Sequence, residues 1–219
     1  MIDYQVGKNR NNKYHIFGPF DENAIPLEIP SDNPYKKQFV DLILHKADID
    51  RGIQFLELIS ADNDIAINEA LFISGLNNCM KCFKHSKSRS KLDKHTVFKD
   101  SESNLEEFIK FETLRDKHYD HDENGMVQTT AFLLVSFTEV GTFYGQPSVV
   151  WNRIKIDFHS YGLRLCNIMY SVQKYLCSQI DEIGCLIIAE YKGIPSENFL
   201  SWKHACLNPA TETSPRIKE

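Results

Sequence analysis

Apolar residues recur at helical steps in four stretches of this chain. Tyr35, Phe39, Ile43, Ile49, Ile53 and Leu56 predict one long amphipathic helix or two end to end. Ser31 or Asp32 would cap it, Pro34 suits its first turn, and Gly52 marks a candidate break. Ile67, Leu71, Cys79, Cys82 and Phe83 predict a second helix over 65–83, capped from Asp62-Asn63-Asp64, with Ser74-Gly75 allowing close helix approach. Leu105, Phe108, Ile109, Phe111 and Leu114 predict a third. Tyr161, Leu165, Ile168, Val172, Tyr175, Leu176 and Ile180 carry the strongest helical period and are expected to pack against that third helix. Cys185-Leu186-Ile187-Ile188 is too short to assign, and Pro195-Ser196 is expected to start a last short helix through Trp202.

The period changes to two between the third and fourth stretches. Val127, Thr129, Ala131, Leu133, Val135 and Phe137 alternate with the opposite face, and Val150, Asn152, Ile154, Ile156 and Phe158 do so again against Trp151, Arg153, Lys155 and Asp157. With Gly141 and Gly145-Gln146-Pro147 read as turns, a hairpin or small antiparallel sheet is expected over 127–158. Residues 1–30 show no clear period and read as an irregular arm, and 208–219 as a tail. The predicted fold is therefore mainly α, a single helical domain over 31–207 with a β insertion at 127–158.

Composition narrows the picture. A chain of 219 residues, 42% hydrophobic and 25% charged, suffices for one ordinary core, or at most one core with a small appendage. A net charge of −5 argues against non-specific coating of nucleic acid. Met1–Arg10 lacks a signal-peptide core, and no apolar run approaches the roughly 20 residues that span a bilayer, so a cytoplasmic protein without membrane contact is expected. Six irregularly spaced cysteines suggest reduced thiols rather than a disulfide framework. Cys79 and Cys82 form a lone CxxC without a second pair, read as small apolar residues on a helix rather than a zinc or redox site. No glycine-rich phosphate loop, GxSxG motif or paired-carboxylate spacing is present, and neither metal nor cofactor is expected.

Charge is concentrated in one place. Lys81, Lys84, Lys87, Arg89, Lys91, Lys94 and Lys99 are opposed within their stretch by Asp93 alone. The segment reads either as a solvated connection between helices or as a surface for RNA phosphates, for which Lys81, Lys84, Lys87, Arg89 and Lys91 are the candidate contacts. Beyond it, the third helix runs into Leu114-Arg115-Asp116-Lys117-His118-Tyr119-Asp120-His121-Asp122-Glu123-Asn124. A guanidinium that can grip two phosphate oxygens lies close in sequence to imidazoles that exchange protons near neutrality.

A helix pair, a basic connection beginning Cys82-Phe83-Lys84, and a following helix ending Leu-Arg-Asp-Lys-His-x-x-His resemble bacterial HEPN domains (higher eukaryotes and prokaryotes nucleotide-binding), closest to the abortive-infection-like branch. The resemblance is clearest over about residues 62–124, and the helix at 160–182 fits it. It leaves the arm and the strands unexplained. The family pattern is an arginine followed after four to six residues by a histidine, usually with a polar residue after the arginine. Arg115, Asp116 and His121 fit it.

The resemblance implies a metal-independent endoribonuclease of toxin or phage-defence type, with RNA as substrate and an antitoxin or other protein as a partner. Arg115 would hold the scissile phosphate and His121 would act as general acid or base for attack by the 2′-hydroxyl. Asp116 would orient either partner, and His118 is a second proton-transfer candidate. On a straight helix six positions separate Arg115 and His121 by about 120° around the axis and about 9 Å along it, so they converge only if the last turn unwinds or a two-fold partner contributes. A homodimer with the motif in its interface is the family's arrangement.

Other readings stay open. Arg115 could pair with Glu112 or another carboxylate, with His118 and His121 serving the helix end. His118, Asp120, His121 and Asp122 cluster like metal ligands, but without a recognised spacing. The same helical dimer could also be a non-catalytic protein- or nucleotide-binding module. His15, His45, His159 and His204 lack partners in sequence.

Overall fold

The computed structural model describes residues 5–8, 14–17, 26–118, 127–138, 141–153, 156–203 and 205, the two hairpins chiefly by their backbone. Its helices are α1 (Lys36–Glu57), α2 (Ile65–Met80), α3 (Lys94–Val97), α4 (Glu102–His118), α5 (Phe158–Tyr191) and α6 (Ser196–Phe199), and its strands are β1 (Gln5–Lys8), β2 (Tyr14–Phe17), β3 (Val127–Thr138) and β4 (Gly141–Arg153). The chain is mainly helical, as its periodicity predicts. The described residues divide into two compact units, one from 1–43, 86–90 and 178–219, the other from 44–85 and 91–177.

The second unit holds the larger core. Its stripes are Ile49, Ile53 and Leu56 on α1, Phe72, Leu76, Cys79 and Met80 on α2, Phe108, Phe111 and Leu114 on α4, and Leu165, Ile168, Met169, Val172 and Leu176 on α5. Phe72 meets Phe111, Phe158 and Tyr161 at centroid distances of 6.4, 5.8 and 6.4 Å. A second aromatic group joins Phe83, Phe98 and Phe108, with Phe83 and Phe108 4.5 Å apart. The Asp64 carboxylate accepts from the Ala66 N–H at 2.9 Å, which starts α2 where the Asp-Asn-Asp cap signal places it.

Three predicted core positions lie outside. Ile43, Ile67 and Ile109 are exposed, whereas Leu42 and His45 are buried on α1. A helical period marks a stripe, but the neighbouring helices choose its centre. Gly52 does not break α1. A Cβ there would collide with the Met169 methyl and lie 3.2 Å from the Gly75 carbonyl, so this glycine serves close packing.

The first unit is built from chain-distant pieces. The Glu28 N–H donates to the Lys203 carbonyl at 2.8 Å and the Ala205 N–H to the Pro26 carbonyl at 2.9 Å. Asn33, buried, donates to the Tyr191 hydroxyl at 2.8 Å and accepts from the Tyr35 N–H at 2.9 Å. Trp202 packs on Tyr191 and Phe199, 4.8 and 4.9 Å between centroids. The helical period of α5 runs on through Ile180, Ile183 and Ile187, absorbing the unassigned Cys185–Ile188 stretch, and Gly193 at φ +87° turns the chain after it.

The predicted hairpin is present, with an antiparallel register from Val127↔Arg153 to Thr138↔Gly141. Gly145-Gln146-Pro147 is not its turn. Leu133 faces Pro147 and Val135 faces Tyr144, so β4 carries one extra residue there. That is a β-bulge, which accommodates a proline and a glycine within a strand. β4 is described as far as Arg153, and Phe158, expected at the end of the strand pattern, instead opens α5 with its ring buried. The arm expected to be irregular contains β1 and β2, paired from Gln5↔Phe17 to Lys8↔Tyr14, strands too short to leave a period. Among the described residues no helix is long and apolar enough to cross a membrane.

Candidate functional site

The last turn of α4 carries Arg115, Asp116, Lys117 and His118. Leu114 is buried and anchors this turn in the core, leaving Arg115 and Asp116 half-buried beside it and Lys117 exposed. The Arg115 Nη1 donates to Asp116 Oδ1 at 3.1 Å. From the connection after α2, the Lys84 Nζ donates to the same oxygen at 3.0 Å and to Asp116 Oδ2 at 2.8 Å. Partial burial alone would raise the Asp116 pKa, but the bonds and charges of Lys84 and Arg115 outweigh it and hold this carboxyl below its usual range.

The basic segment is a set of tethers as well as a charged surface. Lys81 pairs with Asp48 on α1 at 2.6 Å, and Lys94 with Glu112 on α4 at 2.6 Å. The Leu92 N–H donates to the Cys82 carbonyl at 2.9 Å, closing the loop on itself. In the other unit the Asp41 carboxylate, almost fully buried, accepts from the Ser90 N–H at 2.9 Å and from Lys37 Nζ at 2.7 Å. Lys87 and Lys91 are exposed and Arg89 is half-buried. Of the five candidate RNA contacts, Lys81 and Lys84 are thus engaged by carboxylates.

His121 lies outside the described residues, as do Asp120 and Asp122, and for His118 only the backbone is described. The Arg115–His121 convergence and the reading of these residues as metal ligands therefore fall beyond the described chain. Arg115 pairs with a carboxylate, that of its own neighbour Asp116, while Glu112 pairs with Lys94. Lys84, Arg115 and Asp116 are each legible in the sequence as charged candidates, but the 32 positions between Lys84 and Asp116 leave no local signal that joins them.

Cys79 and Cys82 are fully buried, and the Cys82 thiol donates to the Asn78 carbonyl at 3.5 Å. Burial, with Cys82 alongside, pushes the Cys79 thiol well up. Among the described residues no three His, Cys, Asp or Glu side chains are grouped to hold a metal ion. An open depression of about 610 Å³ in the first unit is lined by Glu28, Ser31, Trp202 and Lys203 among others, and includes none of the predicted site residues. No family model, curated protein or solved structure matches this chain.

Proposed function

We propose that the chain binds RNA phosphodiesters at the C-terminal end of α4 and cleaves them without a metal, as a homodimer. The observation that carries this reading is the meeting of Lys84 and Arg115 on Asp116, in the turn that leads toward His121. Arg115 is the phosphate-holding cation and stabilises charge on the five-coordinate transition state. His121 exchanges the proton of the attacking 2′-hydroxyl or the departing oxygen. The product end is a cyclic phosphate. Lys91, exposed on the basic connection, adds a contact that requires no sequence specificity. A toxin or defence role, with an antitoxin or other protein as partner, follows from the HEPN resemblance alone.

The Arg115–Asp116 pair also favours a second reading. An arginine side chain only 21% exposed, paired with its own neighbour, suits a structural residue in a non-catalytic helical dimer that binds a protein or nucleotide. Cleavage of a mixed RNA pool in chelator separates the two, using wild type, Arg115→Ala and His121→Ala with the oligomeric state of each checked. Cleavage lost in both folded variants supports the ribonuclease. Absent cleavage, or equal cleavage by all three, leaves the binding module.

A further inference from the structure

Two cations converge on one oxygen atom at the end of α4. Lys84 Nζ and Arg115 Nη1 lie 3.0 and 3.1 Å from Asp116 Oδ1, with Asp116 Oδ2 taking a further bond from Lys84 at 2.8 Å. This is the hydrogen-bond set that an oxygen of a phosphate would receive, with the carboxylate already in its place. Glu112, one turn earlier, is occupied by Lys94 at 2.6 Å and does not compete for these cations in the same way. The Lys84 and Asp116 side chains are 40% and 39% exposed, so their pair adds little to stability and can be exchanged for an incoming anion.

From this geometry we infer that Lys84 and Arg115 form a two-armed receptor for a phosphate group, and that Asp116 is its internal competitor, a counter-ion that a phosphate must displace. The inference rests on the reading of this turn as a phosphate site, and it adds a second arm and a brake. Asp116 then lowers affinity for phosphate and sets a threshold that a polyanion with neighbouring phosphates passes more readily than an isolated one. Removing its charge strengthens binding, whereas a residue that merely orients a catalytic group would leave affinity unchanged or weaken it.

The test measures binding of inorganic pyrophosphate by calorimetry, in chelator at fixed ionic strength, for wild type, Asp116→Asn, Lys84→Ala and the double variant. Asp116→Ala is a second route to the same charge change, and Glu106→Gln, exposed elsewhere on α4, controls for net charge. We expect Asp116→Asn and Asp116→Ala to bind about tenfold more tightly than wild type, Lys84→Ala to bind more weakly, and the double variant to lose the gain. Equal or weaker binding by folded Asp116→Asn and Asp116→Ala overturns the inference, as does the same gain in Glu106→Gln or no binding by any protein. RNA cleavage measured on the same samples keeps the two ideas apart. A gain in pyrophosphate affinity without wild-type cleavage upholds the receptor and defeats the nuclease, while cleavage without the gain does the reverse.

Discussion

Gly75 on α2 sits so close to Leu56 on α1 that a Cβ built on it would lie 2.6 Å from the leucine Cγ. The Gly52 carbonyl is 3.2 Å from the same point, so backbone as well as side chain blocks any enlargement. At Gly52 the closest obstacle is the flexible end of Met169, with Asn78 Cβ at 3.1 Å behind it.

Gly75→Ala should therefore cost about 1–3 kcal/mol, and Gly52→Ala less, because a methionine end can move where a leucine branch point cannot. Urea unfolding of the two variants beside wild type checks the order. A Gly52→Ala variant less stable than Gly75→Ala would show that Met169 has no room to yield.

Phe72 is fully buried and touches three other rings across the second unit. Phe72→Ala should destabilise by about 3–5 kcal/mol, the range for deleting a buried aromatic and leaving a cavity. Ile67→Ala, on the same helix but exposed, should change stability by under about 0.5 kcal/mol. Similar losses in the two variants would contradict the orientation of α2.

Asp41 supplies a pH signature. Burial raises its pKa, but bonds from Lys37 and Ser90 outweigh burial and leave it below the ordinary value of 3.8. A carboxyl depressed in the folded state stabilises fully above its unfolded pKa and loses that contribution as pH falls through the folded value. Wild type should thus exceed Asp41→Asn in stability at neutral pH, with the gap narrowing below about pH 4. Denaturation midpoints across pH 7 to 3 read this directly, and a gap that widens on acidification would refute it.

The thiols should react in an order set by exposure. Cys185 is exposed and Cys177 half-buried, while Cys79, Cys82 and Cys166 are buried, with burial the leading cause of the raised pKa at Cys79 and Cys166. Among these five, alkylation followed by peptide mapping should label Cys185 first, and Cys79 and Cys82 only on unfolding. Rapid native-state labelling of Cys79 would reopen the redox reading of the CxxC.

Local pattern by itself determined the helical and strand segments. The stripe from Leu165 to Ile180 on α5, the Asp64 cap of α2 and the alternation behind β3 and β4 each depend on residues within a few positions of one another. Such short-range periods follow directly from backbone geometry. Tertiary structure decided which part of each stripe is core, because burial depends on what packs opposite: Ile43, Ile67 and Ile109 went outward while His45 and Gly52 went in. It also turned Gly145-Gln146-Pro147 from an expected turn into a bulge, since strand pairing set the register. At the candidate site, composition and order supplied a lysine, an arginine and an aspartate. Only folding could bring Lys84 to the Asp116 oxygen that Arg115 already holds, because a contact across 32 positions is set by packing of the helices between them and by no local preference.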